Sequence, residues 1–197
     1  MIIIKSFTGS IEEEYIIELA KLRMEVFKDF PYLYEGSMDY EKAYLKIYNH
    51  SQDRIIVIAF DGQNIVGAST GIPMEFETDN VKKPWLEQNF DTEKIFYYGE
   101  SVLLKAYRGR GIGVQFFKHR ENWVKELNRF NLITFCGVVR PSNHPLKPDD
   151  YHPLDDFWEK RGFVKTKNLV CRMNWKDINE ETESQKLLHF WYKNLSV

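Results

Sequence analysis

Residues 108–113 have the sequence Arg-Gly-Arg-Gly-Ile-Gly, whose residue types and spacing suit the binding of an anion. The apolar residues 102–104 before this run predict a strand, and the amphipathic pattern of residues 112–127 predicts a helix. The glycines therefore lie in a turn that enters a helix N-terminus, where backbone N–H groups lack partners and the helix dipole is positive. Glycine also lets a ligand approach the backbone closely. The run is predicted to bind phosphate groups.

The spacing of the glycines distinguishes this run from two common phosphate-binding motifs. A P-loop requires Gly-Lys-Ser/Thr, which does not follow the glycines here. A dinucleotide-binding motif would place its third glycine one residue later than Gly113. The run instead fits Arg/Gln-x-x-Gly-x-Gly/Ala, and it resembles the loop with which the GNAT superfamily of N-acetyltransferases binds the diphosphate of acetyl-CoA. On this motif alone, a tight turn with solvated arginines remains the alternative.

Two further motifs strengthen the resemblance to this family. Residues 139–143, Val-Arg-Pro-Ser-Asn, look like the family's Val-Arg-x-x-Asn at the end of a central strand. Residues 157–163, Phe-Trp-Glu-Lys-Arg-Gly-Phe, look like its Tyr-Glu-Lys-x-Gly-Phe. The three motifs occur in the family's order. The resemblance implies an enzyme that transfers an acetyl group from acetyl-CoA to a primary amine of a small molecule, by direct attack in a ternary complex.

The resemblance also implies where acetyl-CoA binds. Pantetheine is expected along the strand before the glycine-rich run, with a backbone N–H near Leu103 donating to the acetyl carbonyl. The N–H groups of residues 108–114 are expected to bind the diphosphate, and Asn143 to bond to pantetheine or to cap its loop. The predicted acetyl-CoA-binding residues are Val102, Leu103, Leu104, Arg108, Gly109, Arg110, Gly111, Ile112, Gly113, Val114 and Asn143.

Glu100 is the predicted general base. Acetyl transfer requires that the acceptor ammonium, whose pKa is ~10, loses a proton. Glu100 lies within the strand that leads to the glycine-rich run, beside Tyr97, Tyr98 and Val102. Burial there would raise the pKa of the carboxyl towards a range useful to a base, acting directly or through a water molecule. The alternative is a carboxylate on a solvated strand face.

A departure from the family's pattern concerns the general acid. The family usually places a tyrosine where this sequence has Trp158, and an indole cannot usefully donate the proton. Tyr151, in the insertion formed by residues 144–153, is predicted to supply the missing hydroxyl. His144, His152 and solvent remain alternative proton donors, and an anchor of a surface turn is the alternative role for Tyr151.

The acceptor amine is predicted to bind at the loop formed by residues 30–37. Tyr32, Tyr34 and Glu35 combine aromatic rings with one carboxylate, which suits a cationic ligand. A packed connection between two helices is the alternative for this loop. A protein N-terminus or a lysine remains an alternative acceptor. The absence of the family's tyrosine favours another alternative, a non-catalytic acyl-CoA-binding or regulatory module.

The predicted elements follow in the order β-α-α-β-β-β-α-β-α-β-α, which indicates a mixed α/β fold. The resemblance implies a GNAT-like, mostly antiparallel central sheet with helices on both faces. We predict a single domain over residues 1–197, with a core that ends near residue 176. Residues 184–195 have apolar side chains at helical spacing and predict an extra C-terminal helix within about residues 180–197. This helix is expected to cover a sheet edge or to help form a homodimer.

Composition argues against several other classes of function. The net charge of −2 gives no electrostatic basis for binding nucleic acid or an anionic membrane. No apolar run approaches the length of a membrane span, and Cys136 and Cys171 alone do not indicate a disulfide framework. The five histidines show no metal-ligand spacing, so no metal is expected. We expect a cytoplasmic protein.

Overall fold

A computed structural model describes residues 1–9 and 11–195 of the chain. Within these residues no helix has the length and apolar character needed to cross a membrane. The helices and strands are, in chain order, β1 (Ile2–Phe7), α1 (Glu13–Val26), α2 (Met38–Leu45), β2 (Ile55–Asp61), β3 (Asn64–Pro73), α3 (Asp79–Leu86), β4 (Ile95–Tyr97), β5 (Ser101–Leu103), α4 (Ile112–Leu127), β6 (Leu132–Val138), α5 (Asp155–Glu159), β7 (Val164–Trp175) and β8 (Ser184–Asn194).

The strands form one sheet with the order β1-β2-β3-β4-β6-β8-β7, and β5 pairs with β3 off this path. The pair of β4 and β6 is parallel, whereas the other pairs are antiparallel. Helix α4 packs on one face of the sheet, and α1 and α2 pack on the other. The predicted mixed, mostly antiparallel sheet with helices on both faces is confirmed.

Strand β2 shows how the sequence builds these two layers. All but the last of its residues are buried. Ile55 and Val57 pack with residues of α4, whereas Ile56 and Ile58 pack with residues of α1 and α2. Successive side chains of a strand point to opposite faces, so a strand that is covered on both faces is apolar throughout.

The last element of the chain is strand β8, so the predicted C-terminal helix is wrong. β8 pairs with β6 along one side and with β7 along the other. Lys186, Leu188 and Phe190 are buried in alternation, which is the period of a strand. The apolar run of residues 187–192 is compatible with a helix or a buried strand, and pairing with two other strands decides between them. Because β8 lies inside the sheet, the core does not end near residue 176. Among the described residues, up to 195, no helix follows β8 that could cover an edge or form a dimer.

The strand predicted for residues 95–105 is interrupted at Tyr98, Gly99 and Glu100. Before the interruption, β4 pairs with both β3 and β6. Beyond it, β5 pairs with β3 but not with β6. A gap therefore opens between β5 and the second half of β6. A Cβ atom on Gly99 would lie 2.1 Å from the Tyr48 hydroxyl, so only glycine fits at this point.

Candidate active site

The glycine-rich run forms an open turn of backbone amides at the N-terminus of α4. Gly109 and Gly111 have φ angles of +77° and +79°, a region that favours glycine. In the described part of the chain, none of the amides of residues 109–113 donates to another backbone group. The Val114 amide already donates to the Gly111 carbonyl at 3.1 Å, and the buried Ile112 side chain fixes the start of the helix. Five adjacent N–H groups at the positive end of a helix dipole can thus bind an anion.

Two arginines add positive charge around this turn. The Arg108 guanidinium donates to the Leu103 carbonyl and to the Asp29 carboxylate, each at 3.2 Å. The Arg110 guanidinium lies 5.1 Å from the centroid of the Tyr107 ring. Both arginines are exposed, so a diphosphate at the turn would lie between backbone donors and guanidinium groups.

Strand β5 turns the amide of Leu103 towards the gap. The Leu104 amide donates to a carbonyl of β3 at 3.0 Å, and the Glu100 carbonyl accepts from an amide of β3 at 3.0 Å. Backbone groups alternate in direction along a strand, so those of Val102 also face β3 and the Leu103 amide faces away from it. Of the three residues predicted to contact pantetheine, Leu103 is the one whose amide is directed between β5 and β6.

A cavity of about 180 Å³ lies beside this gap, on the face of the sheet that carries α1 and α2. Gly99 and Glu100 form part of its wall, so the cavity reaches the interruption between β4 and β5. The wall combines aromatic rings with three charged groups. The aromatic residues are Phe27, Tyr32, Tyr34, Tyr40, Tyr44, Tyr97 and Trp175, and the charged residues are Arg23, Glu77 and Glu100.

Glu100 is buried in this wall, which excludes the alternative of a solvated strand face. Its carboxylate lies 2.6 Å from the guanidinium of Arg23, which also contacts the Glu41 carboxylate. Burial raises the pKa of Glu100, the charge of Arg23 opposes this rise and that of Glu41 adds to it. The described residues contain no group of three or more His, Cys, Asp or Glu side chains that could hold a metal ion.

Arg120 of α4 fixes the backbone at the interruption. Its guanidinium donates to the carbonyls of Thr70 and Glu100 at 3.1 and 3.3 Å, and to the Ser101 hydroxyl at 2.9 Å. It also lies 4.0 Å from the centroid of the Tyr98 ring. Burial lowers the pKa of Arg120 to about 10, so the group stays charged near neutral pH. Helix α4 therefore links the glycine-rich turn to the backbone that carries Glu100.

Of the predicted acceptor-binding residues, Tyr32 and Tyr34 line the cavity and Glu35 does not. The Tyr32 carbonyl accepts a hydrogen bond from Arg140, the arginine of the second motif, at 2.6 Å. Glu35 is exposed, and its carboxylate lies 2.6 Å from the Lys176 ammonium. The loop thus turns its two tyrosine rings inwards and its carboxylate outwards.

Tyr151 and Asn143 also lie outside the lining of the cavity. Tyr151 packs edge-on against Phe30, with ring centroids 4.6 Å apart, and burial raises the pKa of its phenol. Asn143 is exposed. Trp158 packs against Phe135 in the core on the α4 face of the sheet, with ring centroids 5.0 Å apart. Of the two residues predicted to transfer protons, Glu100 therefore lines the cavity and Tyr151 does not.

Sequence patterns do not single out three charged groups of this site: Arg23, Glu41 and Glu77. Arg23 and Glu41 are buried on the inner sides of α1 and α2, and a charge beside the apolar stripe of a helix is a signal that could have found them. Glu77 lies in a polar segment before α3, where nothing in the sequence distinguishes it from the nearby Glu75.

Sequence comparison points to one family. A profile described as the Acetyltransferase (GNAT) family matches residues 19–163 of the chain. Comparison with curated protein sequences gives no significant match.

Several solved structures share this fold along nearly the whole chain. A ribosomal-protein-alanine N-acetyltransferase from Brucella melitensis is 12% identical, with a TM-score of 0.64 over 98% of this chain and 99% of that one. An N-acetyltransferase from Staphylococcus aureus Mu50 is 12% identical, with a TM-score of 0.62 over 100% and 99%. The NatC complex bound to Gag peptide and CoA contains a chain that is 16% identical, with a TM-score of 0.59 over 99% of both. At these identities the likeness shows a shared fold.

Proposed function

This chain belongs to the acetyltransferase (GNAT) family, and from that premise we propose that it acetylates a primary amine of a small molecule. Membership implies an acetyltransferase that takes the acetyl group from acetyl-CoA. One observation supports our choice of site. The unpaired amides of residues 109–113 come soon after β5 in the chain, and the cavity lies beside the gap between β5 and β6. A diphosphate bound at the turn would direct the thioester into that gap.

The proposed reaction is a direct transfer. The amine nitrogen attacks the carbonyl carbon of the thioester, a C–N bond forms, the C–S bond breaks and CoA leaves as a thiolate. The Leu103 amide would donate to the carbonyl oxygen as negative charge develops there. Holding the thioester beside the amine can lower the barrier by on the order of 7 kcal/mol or more.

Glu100 is the proposed acceptor of the ammonium proton. It is buried in the cavity wall, at the point where β4 and β5 separate from one another. Burial raises the pKa of Glu100, which narrows the difference from an ammonium with a pKa of ~10 and favours proton transfer. The neighbouring Arg23 guanidinium, 2.6 Å away, opposes this rise and favours the ionised carboxylate, which is the form that acts as a base.

Tyr151 is the proposed donor of a proton to the leaving thiolate. Burial raises the pKa of its phenol, so the group is protonated at neutral pH and has a proton to give. It packs on Phe30, the first residue of the loop whose tyrosines line the cavity. Solvent is the competing donor, because a thiolate whose thiol has a pKa of ~8.5 is a fair leaving group without help.

The form of the cavity supports a small acceptor. Side chains from α1, α2, α3 and the sheet surround it, so a compact amine can be enclosed together with its apolar part. A protein N-terminus is the alternative acceptor, and structures of a ribosomal-protein-alanine N-acetyltransferase and of NatC share the fold. Peptides therefore belong in the test.

We also propose a cytoplasmic location. Cys136 and Cys171 are both free and buried, and free thiols are typical of proteins in reducing compartments.

Release of CoA from acetyl-CoA, measured with a thiol reagent over a panel of amines, amino acids and peptides, tests the proposed function. We expect turnover with at least one small cationic amine, above the background with acetyl-CoA alone. Turnover with peptides only would contradict a small-molecule acceptor. Binding of acetyl-CoA without turnover of any acceptor would instead support a non-catalytic acyl-CoA-binding module.

A further inference from the structure

Glu77 lies in the wall of the cavity and takes no part in the steps described above. Its side chain comes from the turn between β3 and α3 and is 4% exposed. The Oε2 atom accepts a hydrogen bond from the Thr78 amide at 3.0 Å. The Oε1 atom is buried and has no hydrogen-bond partner among the described residues. A buried oxygen in this state is unfavourable, and a ligand that donates to it removes the penalty.

The charges around Glu77 are not balanced. Three buried carboxylates lie here, those of Glu41, Glu77 and Glu100, beside one buried guanidinium, that of Arg23. The guanidinium contacts the carboxylates of Glu41 and Glu100. The ammonium of Lys82 lies 3.3 Å from an exposed carboxylate of α3. Because buried charges are normally paired, this cluster lacks a cation on the side of Glu77.

Aromatic rings surround the same space. Tyr34, Tyr44 and Trp175 line the cavity, and the faces of aromatic rings attract cations. An ammonium group would find both a carboxylate oxygen and aromatic rings here, while its alkyl or aryl body would pack against those rings. A zwitterionic amino acid would bring its own carboxylate close to the carboxylates already present, so its binding is disfavoured.

We propose that Glu77 binds the ammonium group of the acceptor, and that the acceptor is a primary amine with net positive charge and no carboxylate beside its amine. This inference rests on the proposed function, because it names the ligand of the same cavity. Glu77 fixes the ammonium, Glu100 takes one of its protons, and the nitrogen then attacks the acetyl carbonyl carbon.

The ionisation of Glu77 gives this binding a pH dependence. Burial raises the pKa of Glu77 to about 7, and Glu100 adds to this rise, whereas the Thr78 amide, Arg23 and Lys82 oppose it. An ammonium prefers the ionised carboxylate, so affinity for the amine should increase as pH rises through about 7. A neutral glutamine at this position should remove that increase.

Glu77→Gln tests the proposal, with Glu75→Gln as its matched control. Glu75 lies two residues away, its carboxylate is 3.2 Å from Arg129, and it does not line the cavity. A glutamine can still accept from the Thr78 amide, so the fold should be retained. We expect Glu77→Gln to raise the KM for the amine about tenfold to a hundredfold, as for a lost hydrogen bond to a charged group, without changing the KM for acetyl-CoA. Glu75→Gln should leave both constants unchanged.

Calorimetric titration of CoA-saturated protein with diaminobutane and with alanine gives a readout that needs no turnover. We expect diaminobutane to bind more tightly than alanine, and to bind Glu77→Gln at least about tenfold more weakly than the unmodified protein. Equal affinity for both proteins, tighter binding of alanine or no binding of the diamine would each overturn the inference. Amine binding through Glu77 without any CoA release would instead contradict the proposed acetyl transfer and leave the role of Glu77 in binding supported.

Discussion

A carboxylate accepts a proton from an ammonium more readily when its pKa is raised from that of a free carboxyl towards that of the amine. Burial raises the pKa of Glu77 to about 7 and also raises the pKa of Glu100, but the partners of the two carboxylates differ. Glu100 forms an ion pair with Arg23 next to the interruption of the strand, whereas Glu77 forms no ion pair among the described residues, although each of the two carboxylates has an oxygen without a hydrogen-bond partner there. This difference is the reason for assigning proton transfer to Glu100 and ammonium binding to Glu77.

Glu100→Gln should lower kcat by about a hundredfold or more, because a general base contributes roughly 10²–10⁴ in rate. In the unmodified enzyme, kcat at saturating amine should fall as pH decreases, since protonation of Glu100 removes the base, and its raised pKa moves this fall above the usual carboxyl range. The variant should lack that fall. Glu93→Gln, an exposed position just before β4, is the control. A kcat that Glu100→Gln leaves unchanged would remove the assignment.

Tyr151→Phe should lower kcat and leave the KM for acetyl-CoA unchanged if the phenol protonates the thiolate. The ring and its contact with Phe30 are retained in the variant, so a structural role alone would not alter the rate. The loss should shrink when an acetyl thioester with a more acidic thiol replaces acetyl-CoA, because such a thiolate needs less protonation. An unchanged kcat would identify solvent as the proton donor.

The two carboxylates also show what a sequence can reveal about single residues. Glu100 interrupts an apolar strand, and a charge in that setting is rare enough to be noticed. Glu77 stands among other polar residues, and its burial depends on α1, α2 and α3 meeting around it. Tyr151 was predicted by its residue type in an insertion, and its distance from the reacting atoms depends on how the inserted loop folds.

At the scale of elements, local patterns and long-range pairing carry different information. The turn of residues 108–113 and helix α4 were predictable because glycine, positive φ angles and a helical period are local properties. That β8 is a strand was not predictable, because its apolar run is compatible with both a helix and a buried strand. Its form depends on pairing with β6 and β7, which the sequence of β8 alone does not specify.

Gly111→Ala should weaken the binding of CoA by about tenfold, because a side chain at positive φ costs about 1–2 kcal/mol and shifts the amides of the turn. Gly62→Ala is the matched control, since Gly62 has φ +61°, has equally open surroundings and lies in the β2–β3 hairpin. Both variants should lose similar stability in thermal unfolding, but only Gly111→Ala should lose affinity in calorimetry. Equal affinities for CoA would contradict the assignment of the turn as the diphosphate site.

For the whole molecule, the sheet separates the two proposed substrates. The start of α4 supplies the amides for the donor on one face, and α1, α2 and α3 enclose the cavity for the acceptor on the other. The two sides meet where β4 and β5 are interrupted, and Arg120 holds that backbone from α4. The proposed function therefore depends on a defect in the sheet. Five buried charged residues lie around this defect, Arg23, Glu41, Glu77, Glu100 and Arg120, whereas the buried residues of β2 are apolar.

This concentration of buried charge has a consequence for the stability of the whole fold. Burial raises the pKa of Glu77 from 4.5 to about 7, so between these values the native state binds more protons than the unfolded state. The free energy of unfolding should therefore fall by roughly 3 kcal/mol as pH rises through this window. Glu100 acts in the same direction, whereas the pKa of Glu180, lowered to about 2 by hydrogen bonds from Lys186 and Ser184, affects stability only at lower pH.

Urea unfolding of the free protein at several pH values between 4.5 and 7 would measure this fall. Glu77→Gln should be less dependent on pH and more stable than the unmodified protein at the upper end of the window, because it no longer buries an unpaired charge. Glu75→Gln should keep the full dependence, since its partner Arg129 lies nearer the surface. If Glu77→Gln retained the whole fall, Glu77 would not titrate in the folded protein as described, and its carboxylate could not be the missing partner of a cation.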